Sequence, residues 1–76
     1  MTTLARGSRW KLVVQGREHG VPHVHLWWPD GRAVLAIETL SLLSGHPPAV
    51  VLAEARSWMT LHRDAARAEW RRLNPR

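Results

Sequence analysis

The apolar residues of this chain change their period once, at Pro47-Pro48, and that change limits the possible folds more than any other feature. Ahead of the prolines they alternate. In residues 9–15, Trp10, Leu12 and Val14 fall on one side, and Arg9, Lys11 and Gln15 on the other. This is the period-two pattern of a half-buried strand. A loop containing Gly16, Gly20 and Pro22 follows, and residues 23–28 alternate again with Val24, Leu26 and Trp28 inward. Pro29-Asp30-Gly31 is turn chemistry, with glycine able to take the positive φ of a tight hairpin. Residues 32–38 return antiparallel with Ala33, Leu35 and Ile37 on the same side, and residues 40–43 offer a short edge strand.

From Pro48 onward the spacing is helical, and proline at the first helical positions is a start signal. On a 3.6-residue wheel Val51, Ala55, Trp58, His62, Ala65, Ala66 and Trp70 gather on one face, with Arg56, Arg63, Arg67 and Arg71 on the solvent side. Asn74-Pro75 ends the helix. The expected fold class is therefore α+β, a three- to four-stranded antiparallel meander with one long C-terminal helix packed across one face. Residues 1–76 would form a single small domain whose residues 1–8 are a flexible arm. Trp58, Trp70 and His62 are expected in the core. Because one helix covers one face, alternation leaves His23, His25, Trp27, Val13, Val34, Ala36 and Glu38 on an open face. A patch of that kind predicts a homodimer or a protein partner.

A chain of 76 residues is near the low end for independent folding. It has no cysteine, which rules out disulfide staples, thiolate nucleophiles and thiolate metal ligands. Five tryptophans with no Phe or Tyr suggest that large rings fill the core. No apolar run is long enough to span a bilayer, and the first residues lack the apolar stretch of a signal peptide. A cytoplasmic protein with no membrane role is expected. Lys plus Arg number 11 against 6 Asp plus Glu, a formal net charge of +5. Such an excess attracts phosphate backbones and acidic surfaces, although a compositional bias toward Arg would produce it as well.

Chemistry concentrates in Arg17-Glu18-His19-Gly20-Val21-Pro22-His23-Val24-His25. His23 and His25 are two apart on a strand, so their rings share a face. Imidazoles titrate near neutral pH, and a pair of them can act as general base and general acid. Glu18 and His19 would position or tune them, and Arg17 or Lys11 would stabilise charge on a phosphate. No cofactor is expected; if a metal is bound, His19, His23 and His25 would form a three-nitrogen site. A tight turn with structural histidines is the remaining alternative. For binding, Trp27 could stack on a nucleobase or anchor a protein. Arg56, Arg63 and Arg67 form either a phosphate-contacting ridge or a solvated helix face.

The same string, read with Ala33, Ile37, Glu38 and Gly45, then Glu54-Ala55-Arg56-Ser57-Trp58, Leu61-His62-Arg63-Asp64 and Glu69-Trp70, carries a wider likeness. The chain resembles small bacterial proteins classed as domain of unknown function forty-one-sixty, whose signature reads Glu-His-x-Pro-Pro-His-x-His. The resemblance runs from about Lys11 to Trp70. The motif falls on Glu18, His19, Pro22, His23 and His25, and farther along on Ile37, Glu38, Gly45, Trp58, His62 and Trp70. Val21 stands where the first proline is usual, Ala36 where an acidic residue is common, and Ala66 where a bulkier apolar residue is usual. Genes of this family often lie beside a second small gene in pairs that look like toxin–antitoxin modules. The resemblance thus implies the toxin-like component of a bacterial type II module, neutralised by a small cognate protein; with the paired histidines and the positive charge, the expected action is on RNA, as a metal-independent endoribonuclease. The alternative is a non-catalytic protein- or nucleic-acid-binding module whose histidines are structural or bind a metal.

Overall fold

The computed structural model of the chain describes residues 1–75. Five strands, β1 (Thr2–Arg6), β2 (Lys11–Val14), β3 (His23–Trp28), β4 (Gly31–Ala36) and β5 (Leu42–Ser44), are followed by one helix, α1 (Ala49–Leu73). The strands form one antiparallel sheet in the order β1-β2-β3-β4-β5. The fold is α+β, a meander plus one C-terminal helix, as the change of period implies.

Register follows the alternation. Leu12 pairs with Leu26, Leu26 with Ala33, and Val24 with Leu35. These side chains meet Val51, Ala55, Met59, Ala66 and Trp70 of α1 in one core with Val14 and Ile37. On the opposite face Lys11 pairs with Trp27 and Trp27 with Arg32; the next row is Val13–His25–Val34, and the last is His23–Ala36. That face is not the apolar opening expected from one-sided helix cover. Val13 is fully buried and Ala36 nearly so, while His23, His25, Trp27 and Val34 are half-buried. Their own neighbours cover them, so exposed apolar area no longer argues for a dimer there.

Three details depart from the sequence reading. Where a flexible arm was expected, Thr2–Arg6 is an edge strand with an irregularity between Thr3 and Ala5. Leu4 and Ala5 pack on the core, Thr2 Oγ1 donates to Glu69 of α1, and a turn closes with Gly7 N–H donating to Trp10 O at 2.8 Å. The ring of Trp10 lies so close that a Cβ on Gly7 would stand 2.0 Å from its Nε1. The final strand comes later than residues 40–43, because Leu40 takes a left-handed φ of 60° and belongs to the turn after β4. The helix also rotates its buried face. His62 has φ −127° and ψ 25°, a break in an otherwise continuous helix. Val51, Ala55 and Met59 are buried in steps of four before the break, and Ala66 and Trp70 after it. Steps of four drift around a 3.6-residue helix, and the break resets the drift. Met59 therefore takes the core position expected for Trp58, and His62 and Ala65 are exposed rather than core. Trp58, half-buried, stacks on His62 with ring centroids 4.3 Å apart.

The arginines of α1 are the fourth departure. Arg56 Nε donates to Leu40 O at 3.0 Å and Arg63 Nε to Ile37 O at 3.1 Å. Arg67 forks onto both oxygens of Glu38 at 2.6 and 2.7 Å. Arg56, Arg63 and Arg67 are thus not a solvent-side ridge but lie over the turn between β4 and β5, on two of its carbonyls and the Glu38 carboxylate, whereas Arg71 is exposed as expected.

Candidate functional site

Among the described residues, one side chain makes the hydrogen bonds that hold the loop between β2 and β3 against the end of α1. Asn74 Oδ1 accepts from Glu18 N at 2.7 Å, and its Nδ2 donates to Gln15 O at 3.0 Å and Trp70 O at 3.1 Å. Gly16 lets the loop approach the helix, since a Cβ there would stand 3.1 Å from Leu73 O. Arg17 and Gly20 take left-handed φ values of 58° and 88°. The chain turns at these two residues so that Glu18 faces β3 while Arg17 and His19 are exposed.

His23 and His25 stand on the same face of β3, with rings 5.3 Å apart and steeply tilted at 72°. Both direct Nε2 at one carboxylate oxygen, Glu18 Oε1, His23 at 3.2 Å and His25 in a shorter contact. His23 Nδ1 donates to Val21 O at 2.9 Å. The β2–β3 ladder ends at the Val13–His25 pair. Where the strands part, the ring of Trp70 reaches to 4.7 Å from His23, tilted by 54°. The helix thus touches the histidine cluster through Trp70 and not through His62. Burial works to raise the Glu18 carboxyl, but the hydrogen bonds from His25 and His23 and the charge on those rings together outweigh it and hold the group below the usual carboxylate range.

Beside the cluster lies a cleft of about 520 Å³ lined by Arg17, Glu18, His19, Trp70, Leu73 and Asn74. Of the residues singled out in the sequence, the structure brings Glu18, His23 and His25 together within 4.8 Å as potential ligand or proton-transfer atoms. His19 and Arg17 stay on the rim of the cleft. Glu18, and not His19, is therefore the third member of any three-ligand set.

Lys11 and Trp27 sit in a different arrangement on the same sheet face. Arg6 pairs with Lys11, Lys11 with Trp27 and Trp27 with Arg32, so one row crosses four strands. Lys11 Nζ lies 5.0 Å from the Trp27 ring centre and Arg32 Cζ lies 4.7 Å from it. Trp27 is thus half-buried between two cations, not a bare platform, and its ring holds them in place by cation–π attraction. A cleft of about 340 Å³ runs along this end, lined by Arg6, Arg9, Lys11, Trp10, Trp27 and Trp28. Rows on one face are two residues apart, about 6.6 Å along the strand. His25 follows Trp27 by one row and His23 by two.

Sequence reasoning missed Asn74, which it read only as a helix stop, and missed Arg6 and Arg32 in the cationic row. Arg32 was within reach, because a two-residue turn at Pro29-Asp30 sets Arg32 opposite Trp27. The Asn74 contact joins residues 56 apart and has no local signal.

Residues 7–71 match the sequence model of a family described as Domain of unknown function (DUF4160). No curated protein and no solved structure matches the chain.

Proposed function

The chain belongs to the DUF4160 family, and we propose that it is the toxin-like member of a bacterial two-protein module, acting on RNA laid along the face of the sheet opposite α1. One observation carries the reading: the cationic row Arg6–Lys11–Trp27–Arg32 and the Glu18–His23–His25 cluster share that face, one strand row apart. A strand of RNA held by its phosphates at the row would bring an adjoining phosphate to His25. Lysine and arginine held in place by a ring bind phosphate without first losing side-chain freedom. The net charge of +5 adds long-range attraction. Glu18 orients the imidazoles, and Arg17 on the cleft rim offers a charge for a phosphate oxygen. The arginines of α1 have no part in this path, since Arg56, Arg63 and Arg67 already serve the β4–β5 turn.

The test combines growth and binding. Inducible expression of the wild type should arrest growth and shorten cellular RNA, co-expression of the small cognate protein should restore growth, and His25→Ala should be harmless while still folded. Fluorescence anisotropy with a short single-stranded RNA should give an affinity that falls steeply with salt. Removing Lys11 or Arg32 should lower that salt slope by roughly one for each phosphate left without its cation. Growth that continues normally under wild-type expression, with no RNA bound at low salt, would reject the proposal.

A further inference from the structure

A neutral His23 cannot satisfy both of the acceptors that its ring faces. Val21 O can only accept, so the 2.9 Å contact means that His23 Nδ1 carries a hydrogen. A neutral imidazole has a single N–H. Its Nε2 then presents a lone pair to Glu18 Oε1, a second acceptor, at 3.2 Å. The same Oε1 also faces His25 Nε2. Positive charge has to lie among these three atoms, and it can be supplied by a second proton on His23 or by a metal cation.

We propose that Glu18, His23 and His25 bind one divalent transition-metal ion, with Zn²⁺ the ion expected, through two imidazole nitrogens and one carboxylate oxygen, leaving a coordination position open beside the cleft lined by Arg17, Glu18 and His19. Four features of the site favour the ion. The three donor atoms already lie within 4.8 Å of one another, and tetrahedral zinc with bonds of about 2.0–2.1 Å sets its ligand atoms about 3.3 Å apart, against 3.2 Å between His23 and Glu18, while the closer His25–Glu18 contact has to widen to admit the ion. Ligating histidines commonly donate their second N–H to a backbone carbonyl, which fixes the tautomer, and Val21 O takes that role for His23. The ligands are held before any ion arrives, because Asn74 pins the backbone of Glu18 and Trp70 lies against His23. Finally, two imidazoles with one carboxylate suit zinc and its first-row neighbours, whereas magnesium and calcium call for oxygen ligands. The site stands apart from the RNA reading. If both hold, the ion lies at the end of the cationic row, where its open position can take a water or a phosphate oxygen.

The test uses untagged full-length protein, stripped with chelator and dialysed, and titrated with Zn²⁺ alone by calorimetry and by metal analysis after dialysis. One Zn²⁺ per chain is expected. His25→Gln and Glu18→Gln should each weaken binding by roughly 100-fold or more, while His46→Ala and His62→Ala should leave it unchanged. Should a ligand variant lose its helix by circular dichroism, nitrogen-15 spectra of the wild-type imidazoles decide. Zinc should move the Nε2 signals of His23 and His25 and not those of His19, His46 and His62. A folded wild type that takes up no stoichiometric zinc, with His23 doubly protonated, overturns the proposal. So does zinc that stays in the Glu18 and His25 variants or leaves when only His46 or His62 is replaced. None of these readouts depends on RNA, so failure of the metal site and failure of the RNA reading remain distinguishable.

Discussion

The arginines of α1 and the histidines of β3 both present hydrogen-bonding groups that the sequence marks as available, and the fold uses them in opposite ways. Arg56, Arg63 and Arg67 end on acceptors of this same chain, the carbonyls of Leu40 and Ile37 and the carboxylate of Glu38. Each of these three cations meets an acceptor within the chain. At Glu18, two ring nitrogens, His23 Nε2 and His25 Nε2, converge on one carboxylate oxygen while His23 Nδ1 is spent on Val21 O, so a neutral His23 leaves two acceptors facing each other unless a proton or a metal ion joins them. The difference separates a structural polar network from a candidate site better than residue type does. Both regions are rich in titratable or charged groups, and only the second gathers its groups around one atom with room for a further proton or, as proposed, a metal ion.

The largest effect should come from the histidine side. His25→Ala removes a group that faces Glu18 from the sheet face opposite α1, away from the apolar core under the helix. We expect it to abolish growth arrest and RNA cleavage, while chemical denaturation shows a stability change of less than about 1 kcal/mol, as for substitutions outside the core. A variant that unfolds, or one that arrests growth undiminished, would break the contrast from this side.

Arg63→Met should behave in the reverse sense. It strands the carbonyl of Ile37, a fully buried residue, and an unmet buried acceptor costs about 1–3 kcal/mol. In a domain of this size that lowers Tm by on the order of 10 °C. RNA affinity below the melting range should stay at the wild-type value. If affinity falls several-fold while Tm holds, then the arginine stripe belongs to the binding surface after all. An intermediate test is Lys11→Ala, expected to weaken RNA binding by about tenfold at low salt, or roughly 1.4 kcal/mol, with little change in Tm.

How much of this was readable beforehand depends on whether the cause was local. The meander was legible in β2, β3 and β4, because alternation of large apolar residues sets both face and register there. β1 was not. Thr2-Thr3-Leu4-Ala5-Arg6 carries one large apolar side chain, and its order comes from pairing with β2 and from contacts to α1. An ideal wheel put Trp58 and His62 inside because it has no place for a break at His62. In the site, Glu18, His23 and His25 were legible from spacing on one strand and the loop before it. The choice of Glu18 over His19 was not, since it follows from the left-handed turn at Arg17 and from the pin at Asn74, a contact across 56 positions.

The smallest expected effect concerns the tie between β1 and the helix, and it sharpens the contrast because this network closes internally as well. The hydrogen bonds from Arg72 and Thr2 hold the Glu69 carboxyl down from 4.5 to about 2, with burial opposing them. A carboxyl lowered by folding stabilises the fold above its ordinary pKa, and the contribution disappears as pH falls through the folded value. Here it is complete above about pH 4.5 and lost as the pH approaches 2. The carboxyl lies at the surface, so solvent screening keeps the effect small. Thermal melts of wild type and Glu69→Gln should therefore show a gap of a few degrees at most at pH 7, smaller than that for Arg63→Met, closing steadily between pH 4.5 and 2. A gap that persists at pH 2 would mean that Glu69 acts by shape and not by charge. The absence of any gap at pH 7 would mean that β1 is held by its pairing with β2 and the packing of Leu4 and Ala5, with the ion pair merely riding on the surface.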